Sequence, residues 1–194
     1  VAVMRHGFNT GGEHLEWIKK NAPETLALRG RDKQFTHDYT VPQAIRTKVP
    51  EEHYSTTYIA NRAAAWLKAR KGKDKPFLLV VSFPDPHHPF TPPGKYWDMY
   101  KPKDMVVPAA YEIDDWDPPE YVKSAERARA ADPSLGQMEG YSLAVSKQEA
   151  LEARALTCGM IAMIDDAVGQ VRTAVTKAGV ADKTVQTYTS DHGD

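Results

Sequence analysis

Ten of the chain's 14 prolines fall between residues 76 and 119. Proline fixes φ and has no amide proton, so a stretch this rich in it is neither regular helix nor central strand. Residues 84–119 are therefore predicted to be a long ordered excursion, part of one that runs to residue 146. The segments on either side are patterned. Residues 55–70 carry Ile59, Ala63, Trp66, Leu67 and Arg70 at three- and four-residue steps, the signature of one helix face, with Gly72 as a natural stop. Residues 77–83 (FLLVVSF) are almost continuously apolar, as in a strand covered on both faces. Residues 147–178 read as a long buried helix through Ile161, Ile164, Val168, Val171, Val175 and Ala178, with Leu156, Met160 and Met163 widening the stripe, capped by Gly179. Residues 184–190 (TVQTYTS) read as a second strand. The order helix, strand, excursion, helix, strand predicts an α/β fold with a mostly parallel sheet flanked by helices. Shorter helices are expected at 13–20 and 118–131, and Pro23, Pro42 and Pro50 break up the rest of the first 54 residues.

Composition narrows the function classes. The chain has 194 residues, 41% hydrophobic and 26% charged, with a net charge of -1. Those values fit a globular protein and argue against a nucleic-acid or membrane-surface partner by bulk charge. No apolar run approaches the 20 or so residues of a membrane span. One cysteine, Cys158, allows no internal disulfide. These figures leave the compartment and the oligomeric state open.

Ligands in open α/β sheets bind beyond the carboxyl ends of strands. The loops that follow the two expected strands are Pro84-Asp85-Pro86-His87-His88-Pro89-Phe90 and Ser190-Asp191-His192-Gly193-Asp194. Both belong on one rim if the strands are close. Asp191 and His192, brought together by a turn, can ligate one divalent metal, although two ligands do not complete a site. His87, held between prolines, suits a donor to an anionic oxygen or a general acid to a leaving group. His88 reads as a packing or solvent residue. Asp165-Asp166 read as a solvated helix face, Cys158 as a small buried residue. The cations from Lys68 to Lys75 fit the negative end of a helix dipole better than an anion site.

Three segments in order, residues 77–100 (FLLVVSFPDPHHPFTPPGKYWDMY), 163–171 (MIDDAVGQV) and 187–194 (TYTSDHGD), resemble the sulfatase family of the alkaline-phosphatase-like superfamily. The resemblance covers the chain from about residue 75 onward; before that only residues 6–9 (HGFN) and the helix around Trp66 match, and loosely. It implies part of an alkaline-phosphatase-like fold. It also implies Asp191 and His192 as metal ligands, the metal being Ca2+ in most sulfatases, with Mn2+ or another ion in choline-sulfatase and phosphonate monoester hydrolase relatives. His87 would contact the sulfate and assist the departing oxygen. The family's nucleophile, a formylglycine made from C-x-P-S-R or S-x-P-S-R, is not here, because Cys158 is followed by Gly-Met-Ile. The first-strand acidic pair and the lysine beyond S-D-H-G are also missing. Residues 1–194 are thus expected to be a single partial domain, a central segment that is inactive by itself.

The implied substrate is a small sulfate ester. The alternatives are a phosphonate monoester or phosphodiester hydrolase of the same superfamily, and a non-catalytic α/β module that binds an anion or a partner through the proline-rich loop.

Overall fold

The computed structural model describes residues 12–73, 75–112, 117–132, 134–135 and 145–193. Residues 6–9 and Asp194, singled out above, lie outside the described residues, as does part of the 84–146 excursion. The described α-helices are α1 (Glu13–Asn21), α2 (Ser55–Arg70), α3 (Glu120–Ala131) and α4 (Lys147–Lys177).

Helix α4 organises the rest. It starts in a reciprocal capping box: Ser146 Oγ accepts from the Glu149 amide (3.2 Å) and Glu149 Oε2 accepts from the Ser146 amide (2.7 Å). It ends at Gly179, whose φ of 73° lets the Gly179 amide reach Thr176 O (3.0 Å) and the Val180 amide reach Val175 O (3.5 Å), a Schellman closure. Its buried stripe runs through Glu152, Leu156, Met160, Met163, Ile164 and Ala167. Ile161, at the margin of that stripe, is exposed, and Cys158 is half-buried rather than buried.

Helix α2 packs along α4, with Thr56, Ala60, Ala63 and Leu67 on its buried side. Trp66 lies outward of that face, where Arg70 covers both its ring (5.2 Å) and that of Phe77 (5.1 Å). Arg129 of α3 donates to Glu149 Oε1 (2.6 Å), tying the end of the excursion to the start of α4.

The proline-rich segment is ordered by short 3-10 turns at Gly94–Tyr96 and Pro102–Asp104. Tyr96 and Trp97 are buried against α4, where Gly159 allows close approach: a Cβ there would collide with the Tyr96 carbonyl oxygen. Asp166 is exposed, as expected of a helix face, and accepts from the Tyr96 hydroxyl (2.6 Å).

Two apolar clusters result. Val41, Ala44, Trp97 and Leu156 form one, with Tyr39 and Phe90 packed on it. Val49, Tyr54, Tyr96 and Met163 form the other. Removing a side chain such as Leu156 from water contributes about 2 kcal/mol. The turn at 40–41 is held by Glu152, whose Oε2 accepts from the amides of Thr40 (2.8 Å) and Val41 (2.9 Å).

The expected strands form no ladder among the described residues; the β pairing there is two isolated bridges, Phe35 with Arg46 and Ala44 with Phe90. Residues 77–83 still alternate, with Leu78 and Val80 exposed and Phe77, Leu79 and Val81 partly covered. Val185 and Tyr188 are exposed in the second segment. The physical reason is that strand propensity is a fit to neighbours on a sheet, and neither segment has such neighbours here. No helix among the described residues is long and apolar enough to cross a membrane.

Candidate functional site

The loop after residues 77–83 is built around His87. Its amide donates to Pro84 O (3.2 Å), closing a turn, and the Asp85-Pro86 and His88-Pro89 peptide bonds on either side are cis. The loop leaves through Phe90, whose amide donates to Gln43 O (3.0 Å) while its carbonyl accepts from the Ile45 amide (3.0 Å). His87 itself is exposed. Its Nδ1 lies 2.6 Å from His88 O; since a carbonyl only accepts, Nδ1 carries a proton. A second proton on Nε2 would make the ring an imidazolium donor. The His88 ring lies 4.2 Å from that of His87 and 6.4 Å from that of Phe90, in keeping with a packing residue.

The underside of this loop is polar and enclosed. Asp85 Oδ2 accepts from Thr56 Oγ1 (2.6 Å), and Oδ1 has a long contact with the Tyr54 hydroxyl (3.5 Å). The Tyr54 oxygen is also 2.7 Å from Thr91 Oγ1. Thr56 is 0% exposed and Thr91 5%. Burial holds the Tyr54 hydroxyl well above its usual range, so it keeps its proton. Burial also pushes the Asp85 carboxyl up to about 6, against the pull of the Thr56 and Tyr54 hydroxyls.

That shift has a sign. The folded chain holds the Asp85 proton to a higher pH than the unfolded chain does, so this group's contribution is full below about 4 and is lost as pH rises through about 6. A denaturation series from pH 4 to 7 should show unfolding free energy falling by about 2–3 kcal/mol on this account, and Asp85→Asn should remove that slope. An unaltered slope in the variant would assign it elsewhere.

The second loop lies at residues 190–193. The His192 amide donates to Asp191 Oδ1 (3.0 Å), and that bond, with the imidazole beside it, holds the Asp191 carboxyl below its usual range. Ser190 Oγ donates to His192 O. His192 Nδ1 donates to Gly193 O (2.9 Å), so in the neutral ring the lone pair is on Nε2. Nε2 stands 3.6 Å from Asp191 Oδ2. Two donors on one ion, with bonds of about 2.1–2.5 Å, sit roughly 3–4 Å apart, so the pair fits adjacent positions around a divalent metal. Among the described residues, no group of three or more His, Cys, Asp or Glu stands close enough to hold an ion, so a metal on this pair would need further donors from outside them.

Sequence reading singled out His87, Asp191 and His192 but not the buried residues Tyr54, Thr56 and Thr91 beneath the first loop. The Asp85 contacts to Thr56 and Tyr54 span 29 and 31 residues, and no local pattern announces them.

Comparison with known proteins adds the family context. The sequence model of the sulfatase family matches residues 2–194. A multifunctional alkaline phosphatase superfamily protein, PehA of Trinickia caryophylli, is 32% identical over 189 residues, covering 93% of this chain and 36% of that protein. An arylsulfatase of Clostridium perfringens is 32% identical over 144 residues, 74% of this chain and 27% of its own length. A choline-sulfatase of Rhizobium meliloti is 26% identical over 122 residues, 62% of this chain and 22% of its own. The chain thus spans about a third or less of these relatives. The match brings with it the α/β, alkaline-phosphatase-like fold class that the order of helices and apolar segments points to. Matched along almost its whole length, the chain belongs to the sulfatase family.

Proposed function

We propose that this chain carries part of the metal and anion site of a divalent-metal-dependent sulfuric ester hydrolase acting on small sulfate esters. The observation that carries the reading is the pair of donors, Asp191 Oδ2 and His192 Nε2, 3.6 Å apart in a chain of the sulfatase family. Asp191 and His192 would hold the ion, with further donors from elsewhere in the full-length protein. Ca2+ suits the carboxylate and Mn2+ the mixed nitrogen and oxygen set. When bound, such an ion supplies Lewis-acid stabilisation of charge on oxygen and lowers the pKa of a coordinated hydroxyl. The formylglycine nucleophile is expected outside residues 1–194.

The chain's own part in the reaction is then binding and proton control. His87, as imidazolium, donates from Nε2 to a sulfate oxygen or to the departing alkoxide, while its Nδ1 bond to His88 O keeps the ring from turning. In the full-length protein, residues 77–83 and 184–190 are strands of a mostly parallel sheet, so their loops share one rim.

One observation favours a second reading, a phosphonate monoester or phosphodiester hydrolase: the relative matched over 93% of the chain is named as multifunctional. Relative rates of the full-length protein on an aryl sulfate and an aryl phosphonate separate the two. The metal role has its own test. Asp191→Ala or His192→Ala in the full-length protein should lower the affinity for Ca2+ or Mn2+, read by titration calorimetry, by about 10- to 100-fold or more. Affinity equal to that of the parent would remove the pair from the site.

A further inference from the structure

We propose that Asp85 is a positioning residue for His87: with Thr56, Tyr54 and Thr91 it pins both ends of the 84–91 loop to the start of α2, and so sets where the His87 ring stands. The inference rests on the reading of His87 given above and deepens it.

The geometry is that of a clamp. Asp85 stands two residues before His87 and Thr91 four after it. Both converge on one hydroxyl, that of Tyr54, at 3.5 and 2.7 Å. Thr56, the second residue of α2, completes the hold at 2.6 Å from Asp85 Oδ2. The loop's outer bonds to Gln43 and Ile45 fix where it leaves the clamp. Between those anchors His87 reaches solvent on a turn closed by its own amide. The clamp thus sets the backbone that carries the His87 ring, and the Nδ1 bond to His88 O sets the ring upon it.

The choice of a carboxylate is informative. Its recorded partners are hydroxyls rather than a cation. Enclosing an ionised group with such partners costs stability near neutral pH, and an amide or an apolar side chain would tie the loop down at lower cost. What the carboxylate offers is geometry. As a pure acceptor with two oxygens it orders both hydroxyl protons, drawing Thr56 Oγ1–H to one oxygen and Tyr54 O–H toward the other, with Thr91 donating to Tyr54 in turn. An asparagine has one acceptor oxygen and would face a hydroxyl with its NH2.

A positioning role and a purely structural one therefore move stability and rate differently. The test is a double-mutant cycle in the full-length, metal-loaded protein with phenyl sulfate as substrate, whose leaving group needs the donor. Asp85→Asn should lower kcat by about 10- to 100-fold with KM changed little, while the melting midpoint above pH 6 is not lowered. In a His87→Ala background the same substitution should cost less than twofold, because a residue that acts through His87 has nothing left to position. Tyr54→Phe, which keeps the ring packing, should show the same dependence on background with a smaller drop. It stands in for the test if Asp85→Asn fails to fold. An equal loss in both backgrounds, or an unchanged kcat in both single variants, overturns the proposal while leaving His87 in the site. A His87→Ala single variant of unchanged rate overturns the reading on which the proposal rests, and is distinguished by that measurement alone.

Discussion

His87→Ala in the full-length protein should lower kcat for an aryl sulfate by about 10²–10³, the usual loss for one preorganised donor to developing charge. KM should change much less, since the donor is needed most where negative charge builds up during bond cleavage. The choice of leaving group sharpens the expectation. A nitrophenolate departs without much help, whereas an unsubstituted phenolate needs a proton or a strong hydrogen bond. If Nε2 serves the departing oxygen, the loss on phenyl sulfate should exceed that on 4-nitrophenyl sulfate by at least tenfold. If it serves a non-bridging sulfate oxygen, the two losses should be alike. A rate within twofold of the parent on both substrates would take His87 out of the reaction.

Glu152→Ala should be the most destabilising of the substitutions considered. Glu152 is 4% exposed, and its Oε2 accepts two backbone amides at 2.8 and 2.9 Å while Oε1 accepts from Gln148 Nε2 at 3.1 Å. Hydrogen bonds to a charged acceptor contribute about 1.5–3 kcal/mol each, and truncation strands the amide of Val41, which is 2% exposed. The expected loss is about 3–5 kcal/mol, read as a fall in the urea midpoint. Glu152→Gln keeps an acceptor oxygen of the same reach and should cost about half as much or less. Equal costs for the two variants would mean that charge rather than acceptor geometry holds the 40–41 turn.

The helices were legible in the sequence because their evidence is local. Ser55–Arg70 was read to the residue, and Lys147–Lys177 to within one, since capping residues and three- and four-residue apolar steps lie within a turn or two of each other. Ile161 and Trp66 were assigned to buried faces and are exposed, because a stripe drawn from hydrophobicity alone does not reveal where a neighbouring backbone comes close, as that of Tyr96 does at Gly159. Residues 77–83 and 184–190 carry strand character without a ladder, since a strand's energy lies with its partners, not in its own composition. His87, Asp191 and His192 were singled out by their loops, each directly after an expected strand. The buried polar contacts were not: no local pattern in the sequence marks Glu152, Tyr54, Thr56 or Thr91. Each meets its partner across tens of residues, and only the folded chain joins them.

The contact between Val41 and Glu152 crosses 111 residues of sequence. During synthesis at about 5–20 residues per second, the 40–41 turn waits roughly 6–20 s on the ribosome before the side chain that satisfies its amides exists. The apolar surfaces of Val41, Ala44 and Trp97 wait with it, since Leu156 of the same cluster is made last. A nascent chain stalled before α4 should therefore be a stronger client of holdase chaperones than one stalled just past Lys177. The late helix sets the moment at which this part of the protein stops being a hazard to its neighbours.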